Sequence, residues 1–305
     1  MTFLVLGAGG QVGQVLLRSL ARHGAVVGAT RSGHLIDGRP CEVANLDQPD
    51  DLPALLDRVR PAAVINAAAY TAVDAAEQDA ACARRVNRDA PGLIARWCAD
   101  HAVPFVHYST DYVFDGKGSV PYTEQDPTAP LNVYGVTKRD GELAVRDAGG
   151  RHLIFRTAWV YAAYGRNFLR TMLRLAADHD SVRVVSDQIG APTSAQLIAD
   201  ITALALIHPV KHCGTWHLTA SGQTSWAGFA EAIFAEAHRQ GVLRKVPQVV
   251  PISTAEYPTP ARRPAWSVLD NRRLQREMGL ILPPWQQGLQ RVIGELAQDV
   301  SHTIG

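Results

Sequence analysis

At 305 residues, with 47% apolar and 19% charged side chains, the chain has the composition of a soluble globular protein with a large core. A formal net charge of +1 with no basic block excludes a nucleic-acid binder working by bulk electrostatics, and no apolar run is long enough to span a membrane. The four cysteines (Cys41, Cys82, Cys98 and Cys213) show no C-x-x-C spacing, which argues against a disulfide framework or zinc site and for reduced thiols in the cytoplasm.

The apolar start MTFLVLGAGGQVGQVLL lacks a basic leading region and is broken by glycines, so it reads as mature structure rather than a signal peptide. Residues 3–6 predict a strand, and 11–22 a helix with Val12, Val15, Leu16 and Leu20 on one face. A strand over 25–29, a helix over 52–59 ended by Pro61, and a buried strand over 63–66 follow. The spacing then predicts one long helix over 80–101 and a strand over 104–108. This rhythm predicts an α/β fold, a Rossmann-like doubly wound parallel sheet with helices on both faces. Residues 109–131, rich in Asp, Gly, Pro and Thr, read as a long loop, of a length that is usually functional or disordered. A helix over 131–147 and a strand over 152–156 come next. The later chain mixes helices (166–178, 194–207, 225–239, 284–297) with short strands and the stretch YPTPARRP. The expected organisation is a dinucleotide-binding domain over 1–160 plus returning segments of the C-terminal half. A smaller α/β substrate-binding domain, built from C-terminal excursions, takes most of 161–305.

Gly7, Gly10 and Gly13 follow the first strand and open the first helix, with Gly9 as an extra glycine. The spacing G-x-x-G-x-x-G differs slightly from G-x-G-x-x-G, but the physics is shared. Glycine permits the tight turn, the approach of backbone to a pyrophosphate, and close helix–strand packing, and the phosphates sit at a helix N-terminus. The second strand ends Ala29-Thr30-Arg31-Ser32. A carboxylate there would accept from a ribose 2′-hydroxyl, whereas a basic side chain accommodates a 2′-phosphate. The chain has no acid at this place, which favours NADPH, with NADH use left open.

Three further stretches matter: NAAAYT (66–71), YSTDYVF (108–114) and LNVYGVTK (131–138). Small residues 67–69 let a cofactor lie against backbone. Ser109 and Thr110 end a strand at the edge where open parallel sheets bind ligands. Tyr134 and Lys138, four apart, share a helix face. This set resembles the short-chain dehydrogenase/reductase superfamily in its extended, nucleotide-sugar-modifying branch. In order along roughly residues 3–290 run GQVG, NAAAYTAVD, HYSTDYVFDG, LNVYG-x-TK, FRTAWVY, NF-x-x-TMLRLA, DQIGAPT and YPTPARRP-x-x-S-x-L. That string resembles the dTDP-4-dehydrorhamnose reductase family.

The resemblance implies reduction of the C4 ketone of dTDP-4-dehydro-L-rhamnose to dTDP-L-rhamnose, a precursor of lipopolysaccharide or cell-wall polysaccharide. Tyr134 would protonate the developing oxyanion, and Lys138 would stabilise the phenolate and hold the nicotinamide ribose. Thr110 would bind the carbonyl oxygen or the phenol. Ser109 is adjacent, but successive strand residues face opposite ways and the resemblance favours Thr110. Gly10, Gln11 and Val12 would cradle the dinucleotide phosphates, with Gly7 and Gly13 shaping the turn. Ala67, Ala68, Ala69, Tyr70, Thr71 and Tyr108 would line the cofactor cleft, and Thr30, Arg31, Asn45 and Leu46 its adenosine end. Thr110, Asp111 and Trp159 would contact the sugar nucleotide. Arg263 and Asn167 are candidates for its diphosphate, a guanidinium being suited to phosphate. Thr30 and Asn45-Leu46 stand where relatives often carry acids, which again favours NADPH. Val15, Gln196 and Gln286 stand at positions where some relatives carry glutamates that bridge a dimer through a divalent cation. A hard cation wants anionic oxygen, so the expectation is no metal, and a monomer or a homodimer joined otherwise. Two alternatives are another nucleotide-keto-sugar reductase and a non-catalytic nucleotide-binding regulatory subunit of the same fold. The intact Thr110, Tyr134 and Lys138 set argues against the second.

Overall fold

Short runs of apolar, largely β-branched residues build the central sheet of the computed structural model, which describes residues 1–207 and 213–304. Its strands are β1 (Thr2–Leu6), β2 (Ala25–Thr30), β3 (Glu42–Val43), β4 (Ala63–Asn66), β5 (Phe105–Thr110), β6 (His152–Thr157) and a seventh over Gly214–His217. Spatially they run seventh-β6-β5-β4-β1-β2-β3, and every pairing is parallel. The chain therefore winds outward in one direction from β1 and in the other from β4. The crevice between their C-terminal ends is the topological switch point, where such sheets bind ligands.

Both faces of the sheet are covered, which is why β4, β5 and β6 are buried along their whole length. Helix α1 (Gln11–Leu20) packs with helix Ala195–Ile207 on one face, over Phe3, Val5, Ile65 and Val106. On the other lie α2 (Leu52–Val59), two short helices α3 (Val73–Ala76) and α4 (Ala80–Arg84), then α5 (Ala90–Asp100) and α6 (Val133–Asp147). Leu4, Leu6, Val64, Phe105 and Ile154 point into that side. A separate core, centred on Phe229, Phe234, Leu169 and Ile293, joins the C-terminal helices to a parallel strand pair, Ser181–Val185 with Gln248–Ile252.

The helix expected over 80–101 is divided: α4 and α5 are joined by a π-helical turn, Arg85–Asp89. Pro91 supplies the reason, because it has no N–H to continue the regular ladder. The wider turn pushes Asn87 sideways. Its Oδ1 accepts from Tyr70 N at 2.9 Å, and its Nδ2 donates to Tyr70 O and Thr137 Oγ1, both at 3.1 Å. Gly141 of α6 makes this possible, since a Cβ there would lie 2.1 Å from Asn87 O. Strand β5 runs two residues beyond the expected end, so that Ser109 and Thr110 belong to the strand and obey its alternation.

Candidate active site

A cleft of about 900 Å³ crosses the C-terminal edge of the sheet at the switch point. Its wall brings together Gly7, Gly10, Gln11, Val12, Thr30, Arg31, Asn45, Leu46, Ala67, Ala68, Ala69, Tyr70, Thr71, Tyr108, Tyr134 and Lys138, residues that the sequence scatters over 132 positions, from 7 to 138. Gly7 has φ 77°, and a Cβ on it would lie 2.6 Å from Ala68 N, so the turns after β1 and β4 can meet only at glycine. Gly13 is not on the wall. A Cβ there would lie 2.1 Å from Gly7 O, so Gly13 acts by letting α1 press against the turn. Gly10 is the N-cap of α1 and offers no side-chain cap, which leaves the first N–H groups of the helix directed at the cleft. Thr157 Oγ1, on the same wall, is buried without a hydrogen-bond partner among the described residues. A glycine cradle, uncapped helix donors and an unpartnered hydroxyl fit a dinucleotide.

At the end of the cleft expected to take the adenosine, the Thr30 hydroxyl donates to His34 O at 3.0 Å. Arg31 remains exposed on the wall. Asn45 is bound to Gln48 and to Asp47 N, and Asp47 pairs with Arg85 at 2.7 Å. The sequence reading missed Asp47, Asp79, Cys82, Val86, Thr157, Val160, Gly165 and Arg166 on this wall. Most come from a loop and the α4 and π-helical region, which carry no recognisable motif; Thr157 and Val160 belong to FRTAWVY, at the end of β6 and just beyond it, but were not singled out within it.

The reacting end is organised by the alternation of β5. His107 and Ser109 point towards α6, where His107 meets Lys138 and the Ser109 hydroxyl donates to Glu142 Oε1 at 2.5 Å. Tyr108 points to the other face, its phenol bonded to Thr202 Oγ1 at 2.7 Å. Tyr108 therefore serves the cleft through its carbonyl, which accepts from Lys138 Nζ at 2.5 Å. Ser109 is committed to Glu142, so Thr110 is the hydroxyl beside the Tyr134 phenol. Thr110 also donates to Asp111 Oδ1 at 3.0 Å and accepts from Tyr112 N. Among the described residues Asp111 Oδ2 is buried with no partner at hydrogen-bond geometry, although the Ser267 hydroxyl is near enough to act on the carboxyl. An unpaired carboxylate oxygen next to the phenol suits a ligand hydroxyl.

Tyr134 is held by α6, which Asn132 caps by accepting from Gly135 N at 2.8 Å, and by an edge-on contact with Tyr112 at 5.6 Å between centroids. Burial pushes its phenol up to about 12, with the Thr110 hydroxyl opposing and Asp111 adding to the shift. Lys138 is not among the groups that act on it. The expected role of Lys138 in stabilising the phenolate is not visible in the neutral phenol; its Nζ donates to Tyr108 O at 2.5 Å and lies 3.3 Å from His107 Nε2. Burial brings Lys138 itself down to about 8, against the pull of Glu142. Burial also raises Asp111 to about 6.

Trp159, Asn167 and Arg263, like Thr110 and Asp111, are not part of this wall. Trp159 follows β6 with φ 47°, an unusual backbone for an indole, and stacks on Trp226 at 3.4 Å and 5°. Strain of this kind gathers at ligand sites. Asn167 is not carried forward as a ligand contact. Its Oδ1 caps Arg170 N, and its Nδ2 is shared among Gln11 Oε1, Ala162 O and Tyr164 O. Arg263 forks onto Asp74 (3.1 and 2.8 Å) while lining a second cavity, of about 460 Å³, with Lys117, Arg262 and Trp266. Val15 is buried, and Gln196 donates to Asp200 at 2.7 Å.

A profile of the family described as the RmlD substrate binding domain matches residues 1–298. The chain is 48% identical, over 305 residues, to a dTDP-4-dehydrorhamnose reductase from Burkholderia thailandensis, covering 97% of this chain and 99% of the relative. An Escherichia coli K12 protein of the same name is 42% identical over 299 residues, with 97% and 98% covered. Among solved structures, a dTDP-4-dehydrorhamnose reductase from Bacillus anthracis in complex with NADP superposes with a TM-score of 0.87 at 31% identity, covering 96% and 99% of the two chains.

Proposed function

The chain belongs to the dTDP-4-dehydrorhamnose reductase family, and from that premise we propose that it reduces the C4 ketone of dTDP-4-dehydro-L-rhamnose, using NADPH in preference to NADH. The observation that carries the reading is that Tyr134 and Lys138 line the cleft that the Gly7–Gly13 turn opens, with the Thr110 hydroxyl set against the Tyr134 phenol from behind the wall.

The N-terminus of α1 and the glycine turn hold the dinucleotide diphosphate. Arg31 takes the 2′-phosphate, and the lack of a carboxylate on Thr30 removes the group that would repel it. Bound there, the nicotinamide supplies the hydride. Tyr134, protonated at neutral pH, gives its proton to the C4 oxygen as negative charge develops on it, and Thr110 fixes the approach of that oxygen. Lys138 contributes its ammonium to the ribose hydroxyls, and Asp111 Oδ2 accepts from a hydroxyl of the sugar. Trp159, braced by Trp226, offers an apolar wall to the deoxysugar methyl. Arg263 and its neighbours Lys117 and Arg262 supply positive charge for the nucleoside diphosphate.

Turnover is read as loss of NADPH absorbance with dTDP-4-dehydro-L-rhamnose, with kcat/KM higher for NADPH than for NADH. Tight NADPH binding without turnover would instead assign the chain to a binding role on the same fold.

The two titrating groups set a bell-shaped profile. Asp111 is raised to about 6 by burial and must be ionised to accept. Lys138 is lowered to about 8 by burial and must be charged to donate to the ribose. So kcat/KM should fall about tenfold per pH unit below the first value and above the second. A flat profile across both values contradicts these roles.

A further inference from the structure

Behind Lys138 sits a buried imidazole that the reaction as described leaves without a task. His107 is fully buried; its Nε2 lies 3.3 Å from Lys138 Nζ and its Nδ1 lies 3.3 Å from Asn66 Nδ2. Asn66 is itself oriented, because its Oδ1 accepts from Ala68 N at 3.1 Å, in the turn that lines the cleft. The amide nitrogen therefore faces the ring and donates to Nδ1. A neutral imidazole that accepts at Nδ1 carries its hydrogen on Nε2. Burial and the nearby ammonium keep His107 neutral, holding it well below the ordinary histidine value. The Nε2 hydrogen then points at Nζ.

An N–H aimed at Nζ is accepted by the lone pair of an amine and repelled by an ammonium. We propose that Asn66 and His107 are positioning residues that favour the amine form of Lys138 and so keep its two protonation states close in free energy near neutral pH. The other groups facing Nζ pull the opposite way. On β5 the Tyr108 carbonyl accepts from it at 2.5 Å. On α6, Glu142 lies one turn further along and favours the ammonium. Glu142 is already shared with Arg156 of β6, Arg146 and Ser109, which dilutes that pull. Tyr134, on the same helix face, is a neutral phenol in the resting state. From β4 the contribution is Asn66 alone, acting through the ring.

The inference rests on Lys138 being the cation of a reductase site, and the experiments separate the two. In the full-length wild-type protein with ¹⁵N-labelled histidine, imidazole correlation spectra should show His107 with its hydrogen on Nε2. A hydrogen on Nδ1 overturns the proposal without any variant having to fold. Asn66→Leu frees Nδ1 to carry the hydrogen, turning Nε2 into an acceptor for the ammonium. Its alkaline limb of kcat/KM, normalised to its own plateau, should move up by about one pH unit. His107→Gln keeps an acceptor towards Asn66 and an N–H towards Nζ, so its limb should stay at the wild-type position. An unmoved or lowered limb in Asn66→Leu, or a moved one in His107→Gln, overturns the pair's role. If the wild type itself gives no turnover, the reductase reading fails; if Lys138→Met turns over like wild type, Lys138 is not the cation of the site and the inference falls with it. If Lys138→Met is inactive and the limb tests fail, only the role of His107 and Asn66 is lost.

Discussion

Replacing Tyr134 with phenylalanine should lower kcat by about 10²–10⁴ while leaving NADPH binding close to wild type, the cost of removing one positioned proton donor. The ring of phenylalanine keeps the edge-on contact with Tyr112 and the place on α6, so the cleft wall survives. What disappears is a hydroxyl that is protonated at neutral pH, is made a weaker acid by burial and is set against Thr110. Stopped-flow reduction with dTDP-4-dehydro-L-rhamnose reads this directly, and a kcat within tenfold of wild type would remove Tyr134 as the acid.

The second large effect concerns folding. Tyr134, Lys138 and Glu142 recur every four residues along α6 and so share one face. Glu142 forks onto Arg156 at 2.8 and 2.7 Å, and also receives Arg146 and Ser109. The Arg156 side chain is 3% exposed and that of Glu142 0%. Glu142→Ala strands a buried guanidinium and should cost about 3–5 kcal/mol, read as a fall of roughly 10 °C in Tm. Arg156→Ala should cost a similar amount, and the double variant less than the sum, because neither charge is then left alone. Burial raises the Glu142 carboxyl, but Arg156 outweighs it and the net shift is downward. This stabilisation is therefore present above the unfolded carboxylate range and is lost as pH falls through the lowered native value. A Glu142→Ala protein as stable as wild type would show that α6 is held otherwise.

The parts legible in the sequence were those that depend on period or on a special backbone. Strand Ala63–Asn66 and helix Leu52–Val59 follow directly from their apolar patterns. The glycine turn announces itself because Gly7 and Gly13 have no alternative residue at those contacts. What could not be read were interactions between elements distant along the chain. Strand alternation and the family resemblance favour Thr110 over Ser109, but what occupies Ser109, a bond to Glu142 33 positions on, is not legible in the sequence. Asn87 looks like a surface polar residue within a helical pattern until Pro91 widens the turn and directs its amide to Tyr70. Asn167 looks like a ligand contact until its four bonds are seen. Lys138 was recognised by its spacing from Tyr134, but its partners, His107 and the Tyr108 carbonyl, belong to a strand and not to the helix.

Product labelling tests the central claim most directly. NADPH deuterated at nicotinamide C4 is supplied with dTDP-4-dehydro-L-rhamnose, and the product is examined by NMR. The account predicts deuterium on C4 of dTDP-L-rhamnose with the new hydroxyl proton drawn from solvent. Product without deuterium at C4, or oxidised cofactor formed with no reduced sugar, would contradict it.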